Sequence, residues 1–596
     1  MQKPNIILGI LNSRSQNNLT IDHVYKYMYN SFFYIEAYNS LLNNESDNID
    51  DSIIKRINKI IEEIKLQKYN WNNLYKTTKN RGFKQSSLPE WRDKLVQEVL
   101  RMILSAIYEP KFTKLSYNLL INKNCAIALN ELYIKGKSCE FFIDFDISDC
   151  FTSIDHDILL NILKRDIKDG RFIEFIRKYL KTGRLEHNIK YDKTFSGTPI
   201  CDNLTTLFIN IYLNELDHFL ESNYILKWNI DKKRPSNPEY RRLSHHIDDR
   251  EKTIKNNPNK DHTERIQQLK ELRKQRQTLK SVEQLSKCNY RRFSYIRYMH
   301  RLVIPFTGIY KEAVNIKNEI ENFIKTNLKL MINNSAKVIK SSNEKNPLNF
   351  LGYNVITQWD NTYKSNNKRT LSGTIALMIP DKVITNYILR YTKKHKPIHR
   401  PELLNESIYD IIYTFQSEYE RICQYYIFAR NKKLLNKLKM FIEISLTKTL
   451  AAKLKISVHK IYKKFGSTKQ INDYTYKVLK ETIIDKNKKT YEIYFGAIPL
   501  KKVKINSNYI LNDLMNLYSF PLRYNRIQKI LYRKCEICGS KENLIVHHVN
   551  HLKNILNQIN TWKFNRSVKK RKTIVICHNC HTKIHNGTFN NNCGIK

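Results

Sequence analysis

The stretch CEFFIDFDISDCF, residues 139–151, decides the fold of this chain. Its apolar run and the aspartates that follow predict a buried β-strand that opens into a turn and then a helix. Side chains alternate along a strand, so Asp144 and Asp146 are expected on one face near the strand end. Carboxylates grouped in this way are the ligands that a pair of Mg²⁺ ions uses in nucleotidyl transfer. A DxDxxD pattern alone is weak evidence, and the neighbouring segments have to support it.

Composition predicts a nucleic-acid partner. The 596 residues include 103 Lys and Arg against 56 Asp and Glu, which gives a net charge of +47. An excess of that size along the whole chain favours a polyanion, and the 37 Tyr and 25 Phe interleaved with it suit stacking on bases. The alternatives are a solvated basic surface or weak membrane binding. No apolar run is long enough to span a bilayer, so no membrane partner is expected.

The residue usage also bears on the genome that encodes the chain and on disulfide bonds. Only 14 of the residues are Gly, while Asn, Lys, Ile and Tyr abound, which favours a very AT-rich genome such as that of an organelle. Mitochondrion is the predicted location, with plastid as the alternative. Eleven Cys in so long a chain do not predict a disulfide scaffold.

Periodicity outlines the rest of the chain. Apolar residues recur at helical spacing within 90–112, and the charged segment 262–281 predicts an exposed helix. Residues 348–356, LNFLGYNVI, predict a strand, and 403–466 is helical in pattern with a β-prone basic segment after it. A chain of this length and pattern is expected to be an α+β protein of several domains.

Four segments in order resemble one known family. They are FFIDFDISDCFTSIDHDILL (141–160), FSGTPICDNLTTLFINIYLNELD (195–217), SYIRYMHRLVIPFTG (294–308) and NFLGY (349–353). This series resembles the reverse-transcriptase domain of group II intron-encoded maturases, and the likeness extends upstream to residues 95–112. The resemblance implies a right-hand polymerase architecture with fingers and palm.

The same resemblance shows where this chain departs from the family's active site. Asp146 stands at the position of the first catalytic aspartate and is a residual palm carboxylate. SYNLL (116–120) replaces a segment that usually carries Arg, and the family's Gln-Gly-Gly and Asp-Asp positions are also changed. The degenerate polymerase positions are Ile200, Cys201, Asp202, His300 and Arg301. We expect that polymerase activity is lost and that the palm holds RNA as a scaffold.

The helical segment 408–466 resembles the thumb-like maturase domain, domain X, of that family, most clearly in QYYIFARN (424–431) and SLTKTLAAKLKIS (445–457). In the family this domain binds intron RNA. The carried-over candidate RNA contacts are Tyr425, Tyr426, Arg430, Lys448, Thr449, Lys453 and Lys455. For Tyr425 and Tyr426, packing in the core is an equally weighted alternative.

Two Cys-x-x-Cys pairs near the C-terminus predict metal binding from spacing alone. Cys535 with Cys538 and Cys577 with Cys580 offer four thiolates, which complete a tetrahedral structural Zn²⁺ site. The histidine clusters VHHVNHL (546–552) and HTKIH (581–585) are then left for other work.

This C-terminal unit resembles the HNH, or ββα-metal, nuclease appended to group II intron proteins. By that resemblance His547 and His585 ligate a catalytic Mg²⁺ or another divalent metal, and His548 is the general base. The alternative is a purely structural zinc module that grips DNA.

Together these features predict a group II intron maturase that binds intron RNA, expected to be its host intron, and assists splicing. The alternative is an intron-mobility protein whose HNH unit nicks target DNA; a homodimer is left open. The predicted domains are an N-terminal helical extension (1–80), reverse-transcriptase-like fingers and palm (81–360), domain X with a connecting basic segment (373–525) and the HNH unit (526–596).

Overall fold

The computed structural model describes two compact units of the chain. Among the described residues, the first unit comprises those up to Phe350 together with 354–376, and the second comprises 351–353 and those from Leu377 onward. The described residues are 2–42, 51–71, 91–113, 116–117, 125–147, 153–181, 203–231, 233–256, 263–330, 336–359, 364–365, 368–369, 373–394, 396–471, 474–484, 490–500, 544–548 and 573–578, with Cys580 and Thr582. Within these ranges, no helix has the length and apolarity that a membrane crossing requires.

Helices surround the sheet of the first unit. Two of them begin at capping aspartates: Asp155 accepts from the backbone N–H of Asp157 at 2.9 Å, and Asp169 accepts from that of Arg171 at 3.1 Å. The helix predicted within 90–112 is confirmed. The longer α-helices of this unit are α1 (Pro4–Gln16), α2 (Ser31–Leu42), α3 (Asp51–Lys65), α4 (Trp91–Tyr108), α5 (Cys125–Lys135), α6 (His156–Asp166), α7 (Gly170–Leu180), α8 (Asn203–Leu220), α9 (Pro238–Asn256), α10 (Thr263–Thr278) and α11 (Tyr310–Thr326).

The predicted strand at the opening motif is confirmed and lies inside a six-stranded sheet. The strand order is β1-β4-β5-β2-β6, with β3 paired to β5, and β1 with β4 is a parallel pair. Ile143 and Phe145 of β2 are buried in the main apolar core, on the face opposite Asp144 and Asp146, and Phe142 is also buried. The strands are β1 (Ser116–Tyr117), β2 (Phe141–Asp146), β3 (Arg292–Phe293), β4 (Ile296–Tyr298), β5 (Arg301–Thr307) and β6 (Lys337–Lys340).

The prediction of one continuous strand over residues 348–356 is wrong. The chain forms two strands, β7 (Leu348–Phe350) and β8 (Tyr353–Gln358), separated by a turn. Leu351 has a φ of 47° and Gly352 a φ of 73°, and this left-handed backbone breaks the strand. After β9 (Lys364–Ser365) and β10 (Lys368–Arg369), strand β11 (Thr374–Met378) pairs with β8 in the order β11-β8-β7.

The exposed helix predicted at 262–281 is confirmed as α10, which pairs with α9. Each of these helices buries one apolar side chain, Leu269 in α10 and Ile247 in α9. Arg273 and Glu251 form a salt bridge between them at 2.6 Å. Most of their remaining side chains face solvent, as expected for a charged helix pair.

The second unit is helical first and then β. Helix α13 begins at the capping residue Ser407, whose hydroxyl accepts from the backbone N–H of Asp410 at 3.0 Å. The helical pattern and the β-prone segment after it are both confirmed. The elements are α12 (Asp381–Tyr391), β12 (Thr392–Lys393), β13 (Lys396–Pro397), α13 (Ile408–Tyr425), α14 (Lys433–Leu454), α15 (Val458–Phe465), β14 (Gly466–Ile471), β15 (Tyr474–Ile484), β16 (Thr490–Phe495), β17 (Leu544–His548) and β18 (Thr573–Cys577).

Candidate functional site

The predicted palm carboxylates lie on β2 beside the hairpin of β4 and β5. Strands β2 and β5 are antiparallel, and their register pairs Asp146 with Arg301 and Asp144 with Val303. Asp144 and Asp146 project from one face of β2, as the alternation of the strand predicts. Arg301, the first residue of β5, is therefore held directly opposite the carboxylate nearest the strand end.

The guanidinium of Arg301 occupies the space between the two carboxylates. Its Nη1 donates to Oδ2 of Asp146 at 2.7 Å, and its Nη2 donates to both oxygens of Asp144 at 2.9 and 3.1 Å. The same Nη2 also donates to the backbone carbonyl of Asn349 at 2.9 Å. Such paired, charge-assisted contacts fix a planar guanidinium firmly. Arg301, one of the degenerate polymerase positions, thus lies directly against both predicted palm carboxylates.

The Arg301–Asp144 ion pair is largely buried, which strengthens its effect on the pKa of the carboxylate. Only 14 % of the Asp144 side chain and 20 % of the Arg301 side chain are exposed to solvent. Desolvation raises the pKa of Asp144 to about 6, and the neighbouring Arg301 charge opposes that rise. Mg²⁺ requires oxygen ligands in octahedral geometry, and here three carboxylate oxygens already accept from a cation. In the described part of the chain, no three His, Cys, Asp or Glu side chains form a metal-binding group.

A second arginine, which sequence reasoning missed, holds the hairpin from inside. Arg297 is fully buried; its Nε donates to both carboxylate oxygens of Asp217, at 2.9 and 3.0 Å, and its Nη1 donates to the Asn210 side chain at 3.0 Å. The same Nη1 donates to the carbonyl of Met299, which forms the turn with a φ of 53°. Arg297 and Asp217 are 80 positions apart, so no local pattern could have paired them.

His300, the other changed residue of the turn, is a structural histidine here. Burial lowers its pKa below the ordinary value, and the charge of Asp146 only partly opposes this. At neutral pH the imidazole is therefore uncharged. The carbonyl of His300 accepts from the backbone N–H of Ile147 at 3.0 Å, which closes the hairpin against the end of β2.

In the second unit, the prediction that Tyr425 and Tyr426 contact RNA is wrong, and their alternative as core residues is confirmed. Tyr425 is 1 % and Tyr426 0 % exposed. Their hydroxyls donate to backbone carbonyls of the β7–β8 turn, Tyr425 to Leu351 at 2.7 Å and Tyr426 to Gly352 at 3.2 Å. The rings also contact Tyr353, with centroids 5.8 and 5.0 Å away. Both rings are thus inaccessible to bases.

Thr449 is a second correction among the predicted RNA contacts. It is completely buried, and its hydroxyl accepts from the backbone N–H of Arg400 at 3.0 Å while donating to the carbonyl of Ser445 at 2.7 Å. Arg400 is itself buried, and its guanidinium pairs with Glu418 at 2.9 Å. Thr449 therefore secures a buried polar network, not a ligand.

The cationic candidates lie where RNA can reach them. Arg430, Lys448 and Lys455 are exposed, and Lys453 is half-buried. The Nζ of Lys448 donates to the carbonyl of Pro397 at 2.8 Å, and that of Lys453 donates to the carbonyl of Leu404 at 2.9 Å. These contacts fix the two ammonium groups along α14 without neutralising them, so both charges remain available to phosphates.

Known proteins match this chain in three consecutive regions. A reverse transcriptase (RNA-dependent DNA polymerase) model matches residues 74–355, a type II intron maturase model matches 366–502, and an AI2M/AI1M-like HNH endonuclease model matches 535–581. The group II intron-encoded protein LtrA of Lactococcus lactis is 31% identical, over 97% of this chain and 98% of its own length. The chain belongs to the group II intron-encoded proteins. The predicted family, and the maturase type with its reverse-transcriptase-like and HNH regions, are confirmed.

Relatives of this group II intron-encoded protein also occur in fungi. The 91 kDa protein in cob intron of Schizosaccharomyces pombe is 29% identical over 97% of this chain and 72% of its own length. A COX1/OXI3 intron 2 protein of Saccharomyces cerevisiae is 28% identical over 91% of this chain, which spans 62% of that relative. The matched regions run in the predicted order, and the exact domain boundaries stay predictions.

In the HNH-matched region of this group II intron-encoded protein, β17 and β18 form an antiparallel pair. The register sets His547 opposite Ile574, His548 opposite Thr573 and Leu544 opposite Cys577. At ~3.4 Å per residue, the backbone positions of His548 and Cys577 lie roughly 14 Å apart along the pair. The predicted zinc position at Cys577 and the predicted catalytic position at His548 are thus at opposite ends of the strands.

Other predicted site residues lie outside the described residues: Cys535, Cys538, His585, Ile200, Cys201 and Asp202. Cys580 is described and is 7 % exposed, which suits a structural thiolate. The zinc site and the divalent-metal site therefore stay predictions.

Proposed function

We propose that this protein assists the splicing of a group II intron by binding its RNA and does not copy RNA into DNA. The proposed lack of DNA synthesis rests on the position of the Arg301 guanidinium between Asp144 and Asp146. Two-metal nucleotidyl transfer needs those oxygens for Mg²⁺, and the cation both occupies and neutralises them. The intron RNA performs the transesterifications, so the protein needs no catalytic residue of its own for splicing.

Binding would rest on charge and on a scaffold of defined shape. The net charge of +47, together with the exposed Lys448 of α14 and Lys455 directly after that helix, suits the phosphates of a folded RNA. The reverse-transcriptase-like region would act as a scaffold that holds an RNA helix through phosphate and 2′-hydroxyl contacts. The host intron is the proposed ligand.

The deciding experiment compares splicing with primer extension in the same preparation. At near-physiological salt, the full chain should accelerate splicing of the intron precursor that encodes it. Primer extension on an RNA template with Mg²⁺ or Mn²⁺ should be absent. Extension that is lost on Asp146→Asn would contradict the proposal for the palm, and unchanged splicing would contradict the maturase role.

DNA nicking by the HNH region is a second candidate function, favoured by its family match and by His547 and His548 on a paired strand. In this proposal Cys535, Cys538, Cys577 and Cys580 hold a structural Zn²⁺. His547 and His585 would hold a divalent metal, which would supply charge stabilisation at the phosphate, and His548 would take a proton from the attacking water. Metal-dependent nicking of intron-insertion-site DNA should disappear in His548→Ala, while splicing should be unaffected.

Location and assembly are part of the proposal. Matches to a bacterial protein and to fungal intron proteins leave mitochondrion as our proposed location and plastid as its alternative. Target DNA is proposed as a partner only for the HNH region. A homodimer stays a prediction, which sedimentation of the purified chain would test.

A further inference from the structure

The three-stranded sheet of β14, β15 and β16 has two chemically different faces. The register pairs Leu479 with Phe495 on one face and Lys480 with Tyr494 on the other. Leu479 is 2 % and Phe495 1 % exposed, and the ring centroids of Phe495 and Tyr419 of α13 lie 6.1 Å apart. The first face therefore packs on the helices of its own unit. The second is the outer face: its Val478 is buried, at 5 % exposure, and the tyrosines and lysines on either side of it are exposed in full or in part.

The outer face carries tyrosines and lysines side by side. The register sets Lys469 opposite Tyr476 across β14 and β15, and Ile471 opposite Tyr474. Tyr474 is 56 % exposed, and the other members are partly exposed. We call this set the tyrosine–lysine face: Lys469, Tyr474, Tyr476, Lys480 and Tyr494.

Contacts within the tyrosine–lysine face show what its rings can accept. The Nζ of Lys469 lies 3.9 Å from the centroid of the Tyr494 ring, and that of Lys480 lies 5.5 Å from it. An ammonium over a ring face occupies the place where another flat or cationic group could stack. The Tyr494 hydroxyl donates to Glu492, which also pairs with Lys480. The hydroxyl contact thus orients the ring, and the ammonium groups of Lys469 and Lys480 both lie over its face.

We propose that the tyrosine–lysine face binds an unpaired segment of RNA by stacking bases on its tyrosines. Exposed aromatic rings beside lysines on a sheet surface are the chemistry that recognises single strands, because each base offers a flat face and each linkage a phosphate. On binding, Lys469 leaves the Tyr494 ring for a phosphate and a base takes its place. Same-face positions such as Tyr474 and Tyr476 are roughly 7 Å apart along β15.

Local charge and hydrogen bonding favour RNA over other occupants. Residues 458–495 contain nine Lys against four Asp and Glu, which favours a polyanion over an apolar protein surface. Glu492 lies on the same face, and its carboxylate can accept from a 2′-hydroxyl, which DNA lacks. The inference rests on the proposed function for the presence of RNA, but it assigns a site that accepts bases as well as phosphates.

The test measures binding of the full chain to a fluorescent oligouridylate, a single strand that forms no stable helix. At raised salt, where phosphate-only binding weakens, Tyr494→Ala should reduce the affinity about tenfold, in line with the loss of one stacked base. Tyr494→Phe, which keeps the ring, should bind like the parent. The matched control is Tyr310→Ala, which removes a tyrosine that is 58 % exposed on α11 in the first unit and should change nothing.

Cross-linking identifies the site independently of folding effects. Oligonucleotides that carry 4-thiouridine should form adducts with Tyr474 or Tyr494 in the parent chain, and a deoxy-oligonucleotide of matched sequence should bind several-fold more weakly. Equal binding of the Ala and parent chains, adducts confined to other segments, or equal affinity for DNA would overturn the inference. If splicing assistance stayed intact with any of those results, the proposed function would stand and only the tyrosine–lysine face would be refuted. If splicing assistance were absent while oligouridylate binding was normal, the proposed function would fail and the binding face would stand.

Discussion

Replacement of Arg301 by methionine removes a cation and keeps most of the side-chain volume. It deletes one hydrogen bond to Asp146, two to Asp144 and one to the Asn349 carbonyl. Losing one partner of a buried ion pair costs about 3–5 kcal/mol, and this pair keeps some solvent contact. We therefore expect the free energy of unfolding of the first unit to fall by roughly 2–3 kcal/mol at pH 8.

The loss should depend on pH in a defined direction. The pKa of Asp144 is about 6 and Arg301 lowers it, so the variant's pKa is higher still. A carboxyl whose folded pKa is raised favours the folded state below its unfolded pKa and loses that contribution as pH rises through the folded value. Near pH 5, the variant's Asp144 is neutral and needs no cation. The destabilisation should then shrink to about 1 kcal/mol or less.

Urea denaturation of the parent and variant chains near both pH values measures these differences. The matched control is Arg241→Met, since Arg241 is exposed and its guanidinium contacts only the Ser236 hydroxyl among the hydrogen bonds found for it. That control should stay within about 0.5 kcal/mol of the parent. A loss in Arg301→Met no larger than in the control, or one that is equal at both pH values, would refute the assigned role.

Three further substitutions test other parts of the structure. Arg297→Met should destabilise by about 3–5 kcal/mol in denaturation experiments because it strands the buried Asp217, and adding Asp217→Leu should recover much of the loss. Tyr425→Phe should cost about 1 kcal/mol through its lost hydrogen bond yet leave RNA affinity unchanged, and weakened affinity in a fully folded variant would contradict its burial. Lys448→Gln should reduce the slope of log affinity against log salt for intron RNA by about one, and an unaltered slope would exclude a phosphate contact.

Periodicity predicted an element correctly where the chemistry of its side chains suits only one environment, either the core or the solvent. The alternation in FFIDFD placed Asp144 and Asp146 on one face, apolar residues at helical spacing predicted α4, and the run of charged residues predicted α10. It was insufficient for Tyr425 and Tyr426, because a tyrosine has an apolar ring that suits a core and a stacking surface equally. Only the nearby carbonyls of the β7–β8 turn, far away in sequence, decide between the two.

Long-range polar pairs were beyond sequence reasoning for a related reason. Thr449 looks like a surface residue of a basic helix, and it is buried because the backbone of Arg400 needs an acceptor there. Arg297 and Asp217 lie in separate recognisable segments, yet nothing within either segment indicates its partner. Single-residue patterns report exposure and periodicity, whereas a hydrogen bond between distant positions depends on the finished fold.

The Arg301 pair has a consequence for how such sequences change over time. Once a guanidinium holds Asp144 and Asp146, those aspartates contribute to folding, and purifying selection can retain them with no catalysis to protect. Their persistence in a descendant would then be a poor marker of enzymatic ancestry still in use. Reversal is also hindered, since Arg301→Asp would put a third negative charge beside two carboxylates before any metal is bound. Under the proposed function, Arg301 therefore makes Asp144 and Asp146 parts of the framework, and a return to metal binding would need more than one change.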